Sequence, residues 1–180
     1  ALARMKPGQL TYGQPGNLSA GHLAMELLKV QTGVNIVSVP YKGGGPAMVD
    51  LLSGQIHMMI SGPTAQLPHV KSGKLRAIAT TGSKRSTGVP EVPTIAESGV
   101  PGFELNEWYG MAAPAGTPRD ALARLNAEIV RAINSPELRA RMSALGAEPA
   151  GNKPEEFAAY FLGEMDKAGK LIRQLGLKAE

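Results

Sequence analysis

In Val39-Pro40-Tyr41-Lys42-Gly43-Gly44-Gly45-Pro46-Ala47, three consecutive glycines stand between a lysine and a proline. An apolar, β-branched run, Val34-Asn35-Ile36-Val37-Ser38, leads into this stretch, and Met48-Val49-Asp50-Leu51-Leu52 continues from it with helical character. The pattern predicts a strand that ends in a glycine-rich turn and opens onto a helix. Such a turn leaves backbone N–H groups unpaired and turned outward, where they suit an anionic group. A second turn of the same kind, Gly13-Gln14-Pro15-Gly16-Asn17-Leu18-Ser19-Ala20-Gly21-His22, lies one strand–helix unit earlier. Two such turns on consecutive units outline a pocket without saying what fills it.

Outward from these turns, strand and helix alternate. Gln9 to Gly13 reads as a strand, and Ser19 to Gln31 as an amphipathic helix with Leu23, Leu27 and Val30 on one face, stopped by Gly33. Asn35 to Val39 is the next strand, and Pro46 to Leu52 a short helix closed by Gly54. Ile56 to Ile60 is a third strand whose continuous apolarity predicts burial on both faces. Thr64 to Lys71 is a short helix, and Leu75 to Thr81 a fourth strand. This order predicts a mostly parallel sheet with helices on both faces. Gly82 to Pro93 is a polar, proline-bearing loop, Thr94 to Ser98 a helical turn, and Phe103 to Ala113 an extended segment. Three helices follow, at Pro118 to Ile133, Pro136 to Leu145 and Pro154 to Leu175, with proline at or near first helical positions where its missing N–H costs nothing. The chain divides near residue 105 into an α/β block and a helical block with little sheet of its own.

Composition narrows the chemistry. The 180 residues carry a formal charge of +4 with the basic residues scattered, so a nucleic-acid surface is not expected. There is no cysteine, which removes thiol catalysis, cysteine metal sites and disulfides. No apolar run approaches the ~18 residues of a membrane span. The start, Ala1 to Gly8, lacks the apolar core of a signal peptide and reads as the tail of a helix broken by Pro7-Gly8. None of His22, His57 and His69 has acidic or histidine neighbours at metal-binding spacing, so no metal and no cofactor is expected.

His22 is either a helix-start residue bonding locally or a donor to an anion on the same turn, aided by the helix dipole. Ser19 and Ser61 lack a Gly-x-Ser-x-Gly elbow, and the lysine and glycines around Lys42 are in the wrong order for a Walker motif. Gly13, Gly16 and Gly21 miss the Rossmann spacing. Asp50, Glu91, Glu97, Glu104 and Glu107 fall on different elements, and nothing marks an acid–base pair. Trp108-Tyr109 is either core or pocket wall. The residues describe a binder with no visible catalytic apparatus.

An ordered series of motifs then becomes specific: Pro7-Gly8-Gln9-Leu10-Thr11-Tyr12-Gly13, Ser19-Ala20-Gly21-His22-Leu23-Ala24, Val39-Pro40-Tyr41-Lys42-Gly43, Gly73-Lys74-Leu75-Arg76-Ala77-Ile78-Ala79, Val92-Pro93-Thr94-Ile95-Ala96-Glu97-Ser98-Gly99, Pro101-Gly102-Phe103-Glu104, Trp108-Tyr109-Gly110, Ala113-Pro114-Ala115-Gly116-Thr117-Pro118, Leu125-Asn126 and Leu145-Gly146-Ala147-Glu148-Pro149. The series resembles the Bug (TctC-like) family, periplasmic solute-binding receptors of tripartite tricarboxylate transporters, across essentially the whole chain. The resemblance implies an α/β, periplasmic-binding-protein-like fold of type II, a Venus flytrap of two lobes. It implies non-catalytic capture of a small organic carboxylate, with membrane transporter subunits as partners and a periplasmic location. Residues 1–105 would be most of the second lobe. Residues 106–180 would cross back and clothe a first lobe whose strands precede this sequence, leaving the stretch to bind weakly alone and prone to self-association. A small enzyme acting on an anionic ester, or a ligand sensor for a signalling partner, remains the alternative.

By motif, the resemblance turns Gly13, Gln14, Gly16, Asn17, Ser19, Ala20, Gly21 and His22 toward the cleft, with the N–H groups of Ser19 to Gly21 on a carboxylate. Tyr41, Lys42, Gly43 and Gly44 would contact the other end of the ligand. Ser61-Gly62-Pro63-Thr64 would form a third wall, contributing Ser61 and Gly62. The sequence departs from relatives that have serine at Gln14, glycine at Leu18, and aspartate at His57 and Ser61. Loss of acidic residues around the cleft leads to the expectation of a plain carboxylate rather than an amino acid.

Overall fold

A computed structural model describes residues 1–178. A short helix α1 (Leu2–Met5) precedes strand β1 (Thr11–Gln14), helix α2 (Ala20–Thr32), strand β2 (Val37–Pro40), helix α3 (Gly44–Leu52), strand β3 (Met58–Met59) and helix α4 (Pro63–Lys71). The three strands form one parallel sheet in the order β2-β1-β3, with Thr11 opposite Val37 and Tyr12 opposite Met58. After an irregular stretch come α5 (Arg119–Ile133), α6 (Pro136–Ala144) and α7 (Pro154–Gln174).

Alternation along β1 distributes the two covering helices. Tyr12 points to one face, where it is fully buried with Leu10, Met25 and Ile36, so α2 covers that side. A Cβ on Gly13 would point to the other face and lie 2.6 Å from Ile56 Cδ1 and 3.3 Å from Ala47 Cβ, so α3 covers the second side. The Tyr12 hydroxyl donates to Glu26 Oε1 at 2.8 Å, which satisfies the one polar atom of an otherwise apolar cluster. Each large side chain buried there contributes roughly 1.5–3 kcal/mol. With the order β2-β1-β3, the β1–α2–β2 and β2–α3–β3 connections run in opposite directions across the sheet, and a crevice opens at the C-terminal strand ends, where parallel α/β sheets bind ligands.

Local signals explain the boundaries. Ser19 caps α2, its hydroxyl accepting from the His22 N–H at 3.3 Å, and Gly33 ends the helix in the left-handed region at φ 67°. Helix α3 begins at Gly44, two residues before its expected start at Pro46, so the glycine-rich turn is itself the first helical turn.

Two expected strands are reduced. Of Ile56 to Ile60 only Met58–Met59 joins the sheet, because the amide N–H groups of Gln55 and Ile56 turn back to Asp50 O and close α3. Met58, Met59 and Ile60 are partly buried, short of the two-sided burial expected. Leu75 to Thr81 makes one isolated parallel bridge, Thr80 with Thr94, rather than a fourth strand. The Thr80 N–H donates to Pro93 O and the Ile95 N–H to Thr80 O, and Pro93, lacking an N–H, gives the ladder nothing further to extend on.

Phe103 is the last buried residue among those described. Helices α5, α6 and α7 bury no residue. Helix α7 is held by Trp108, whose ring meets Phe157, Tyr160 and Phe161 edge-on at centroid distances of 5.8, 5.6 and 5.9 Å. Leu125, Leu162 and Met165 lie exposed on α5 and α7.

Candidate functional site

Three helices begin at one cleft. Ser19, Ala20 and Gly21 at the start of α2, Gly44 at the start of α3, and Gly62, Thr64 and Ala65 at the start of α4 line a cavity of about 270 Å³. Pro15, Met59, Ser61, Glu107 and Tyr109 complete its walls. The first amide N–H groups of each helix have no intrahelical acceptor, and each N-terminus carries roughly half a positive charge. No lysine or arginine lines the cleft, so what it offers an anion is backbone N–H groups and helix dipoles, with the Glu107 carboxylate in the same wall. The Ser61 hydroxyl oxygen is buried there without a hydrogen-bond partner among the described residues.

Close packing brings the helices together. A Cβ on Gly21 would sit 2.1 Å from the backbone oxygen of Ile60, so only glycine lets α2 start against the end of β3. Gly62 opens the neighbouring gap, since a Cβ there would lie 2.5 Å from Glu107 Oε2 and 3.2 Å from the Tyr109 hydroxyl.

Of the residues singled out in the sequence, Ser19, Ala20, Gly21, Gly44, Ser61 and Gly62 line the cleft, and Gly13, Gln14, Gly16, Asn17, His22, Tyr41, Lys42 and Gly43 do not. Gly13 faces α3. Gln14 and His22 form a buried network behind the turn. Gln14 Oε1 accepts from the Ser38 hydroxyl at 2.6 Å, its Nε2 lies 3.2 Å from His22 Nδ1, and His22 Nδ1 accepts the Leu18 N–H at 3.1 Å. An acceptor at Nδ1 puts the ring proton of neutral His22 on Nε2. Burial, partly opposed by Glu26 and reinforced by Lys29, holds the His22 pKa below its ordinary value. The local reading of His22 is therefore the one its contacts match: it fixes Leu18, which sits at φ 56°, a conformation that suits glycine. Gly16 accepts the Ser19 N–H through its carbonyl, and Asn17 donates to Lys178 O at 3.1 Å.

Tyr41 turns away from the cleft and donates its hydroxyl to Asp50 Oδ2 at 2.6 Å, a bond that raises its pKa. Lys42 is exposed, and Gly43, at φ 113°, supplies the turn before α3. His57 Nδ1 lies 2.9 Å from Thr11 Oγ1, at the opposite end of β1 from the cleft, so position 57 lies outside the cleft lining. Glu107, an acid outside the positions compared with relatives, also lies in the cleft wall. Glu107 and Tyr109 escaped sequence reasoning because position 107 resembles any surface glutamate. Period-two alternation was the available signal: in an extended segment 107 and 109 share one side while Trp108 faces the other, toward α7.

A second, open groove of about 580 Å³ runs between Arg76–Ile78 and Glu91–Pro93, away from the helix N-termini. Among the described residues, no group of three or more histidines and acids is placed to hold a metal ion, and no helix is long and apolar enough to cross a membrane.

Residues 1–177 match the family described as Tripartite tricarboxylate transporter family receptor. A protein from the tcbD-tcbE intergenic region of Pseudomonas sp. strain P51 is 42% identical over 178 residues, covering 98% of this chain and 53% of that protein. Among solved structures, R. palustris Rpa4515 with adipate aligns at TM-score 0.93 and 36% identity, covering 97% of this chain and 58% of that one. The periplasmic binding protein BugD aligns at 0.90 and 33%, covering 99% and 60%, and Rhodopseudomonas palustris MatC with bound malate at 0.75 and 33%, covering 93% and 56%. The chain thus spans a little over half the length of these proteins. It belongs to the tripartite tricarboxylate transporter receptor family, a family of receptors and not of enzymes, and has the α/β fold of the periplasmic binding proteins.

Proposed function

We propose that this chain is the carboxylate-anchoring part of a non-catalytic, periplasmic solute receptor that delivers a small organic carboxylate to membrane transporter subunits. The observation that carries the reading is the convergence of the α2, α3 and α4 N-termini on one cleft with an unpartnered serine hydroxyl. Backbone N–H donors with aligned dipoles are a ready-made anion site, and a carboxylate oxygen would also complete the Ser61 hydrogen bond. Adipate and malate, bound to two structural relatives, are both dicarboxylates. Residues 1–105 would form one wall of the ligand cleft. Residues 106–180, the last two of them outside the described residues, would serve the other lobe, in keeping with the exposed Leu125, Leu162 and Met165. Affinity is then modest for this stretch alone, because a flytrap gains much of its grip by closing a second wall over the ligand.

Calorimetric titration with adipate, succinate and malate, each against its neutral diamide, tests the reading. Binding of the acids but not the diamides is the expected outcome. Equal binding of acid and diamide, or binding of neither, would refute it. Turnover of an anionic ester that disappears in Ser19→Ala or Ser61→Ala would instead favour an enzyme.

A further inference from the structure

Among the described residues, one residue other than glycine holds a left-handed backbone: Leu18, at φ 56°. It immediately precedes Ser19, which caps α2 and lines the cleft. Leucine is disfavoured in that conformation because its Cβ crowds the following carbonyl, so its surroundings must hold it there. The Leu18 N–H donates to His22 Nδ1 at 3.1 Å. His22 also donates its own backbone N–H to Ser19 Oγ at 3.3 Å, so one residue grips two neighbours in the turn. Behind the ring, Gln14 Nε2 lies 3.2 Å from Nδ1, and Gln14 Oε1 accepts the Ser38 hydroxyl at 2.6 Å. His22 is buried, and none of Gln14, Leu18, His22 and Ser38 lines the cleft. A strut of side chains thus runs from β2, through the end of β1, to the Leu18 amide.

We propose that His22 is a positioning residue for the carboxylate site: its Nδ1 clamps Leu18 in the left-handed conformation and so aims the first amides of α2 into the cleft. The inference rests on the receptor reading and goes beyond it, since His22 acts without touching the ligand. Without an acceptor at Nδ1, the Leu18 N–H loses its one partner among the described residues, and the leucine relaxes toward negative φ. Ser19, Ala20 and Gly21 follow directly in the chain, so their N–H groups then swing off the ligand. Glycine adopts positive φ unaided, so the clamp matters because position 18 is leucine. The effects of positions 18 and 22 on binding are therefore not additive. A histidine that only stabilised the fold would leave the affinity of the folded protein unchanged.

The test is a backbone-amide NMR titration with adipate of the 180-residue chain and four variants, whose spectra also show that each is folded. His22→Leu should weaken binding roughly three- to tenfold, the range one hydrogen bond covers. His22→Asn, whose Oδ1 takes the place of Nδ1 as acceptor, should stay within about twofold of the parent. Leu18→Gly should also bind within about twofold, and adding His22→Leu to it should cost less than about twofold. Should His22→Leu not fold, Gln14→Leu decides in its stead by removing the strut behind the ring. Its expected loss is about two- to threefold with leucine at position 18 and none with glycine. Parent affinity in His22→Leu, the same loss in both backgrounds, or His22→Asn as weak as His22→Leu would overturn the inference and leave the receptor reading intact. No adipate binding by the parent would overturn both.

Discussion

Replacing Gly21 by alanine should damage fold and binding together, and the structure sets the size of the effect. The added Cβ would lie 2.1 Å from the Ile60 carbonyl oxygen. Ordinary carbon–oxygen contacts are about 3.3 Å, so the start of α2 must retreat by about 1 Å. The obstacle is backbone, and no rotamer change relieves it. Overpacking of this kind costs about 1–3 kcal/mol, and alanine in a helix returns about 0.5–1 kcal/mol relative to glycine. The net expectation is a loss of about 1–2 kcal/mol, measured as a lower urea midpoint at unchanged slope. The same retreat carries the Ala20 and Gly21 amides out of hydrogen-bond range of a ligand shared with α4, so carboxylate affinity should fall about tenfold. Gly45→Ala is the matched control. Gly45 is likewise the second residue of its helix, and a Cβ there meets nothing within 4 Å, so this change should stabilise by about 0.5–1 kcal/mol. A Gly21→Ala protein as stable as its parent with unchanged affinity would refute the packing argument.

Other changes follow from single contacts. Leu18→Asn should raise stability by about 0.5–1 kcal/mol in urea melts, since Leu18 is held at φ 56° and asparagine tolerates that region. The burial-depressed pKa of His22 makes the unfolded chain bind the extra proton. Stability is therefore full above the unfolded histidine pKa of about 6.5 and falls as pH drops below it, a slope that His22→Gln should flatten in pH-dependent melts. Tyr12→Phe removes the donor to Glu26 and should cost about 1 kcal/mol by the same assay. Phe161→Ala strips one of three rings around Trp108, the chain's single tryptophan, and should red-shift its emission.

The αβ alternation and the two glycine turns were readable because parallel sheets impose a hydrophobic run, a turn and a helix in fixed order. Ser19 could be recognised as a cap and Gly33 as a stop because capping is local chemistry. Side-chain direction was not readable. Tyr41 looked like a ligand contact from its place beside the glycines, yet Asp50, nearly two helical turns into α3, captures its hydroxyl. His22 looked equally suited to a ligand or to its own turn, and only the left-handed Leu18 shows why the inward bond prevails. The strand expected at Leu75 to Thr81 failed for a long-range reason, since its partner segment carries Pro93. Alternation could pair Glu107 with Tyr109 on one side of an extended segment, but not say that this side meets the cleft.

Three helix N-termini are proposed to anchor the ligand's carboxylate. A ¹⁵N-labelled sample titrated with adipate tests it most directly. The largest amide shifts are predicted at Ala20, Gly21, Gly44, Thr64 and Ala65, with Arg76–Ile78 and Glu91–Val92 unmoved. Shifts centred on the Arg76–Pro93 groove, or spread evenly over exposed lysines and arginines, would contradict it.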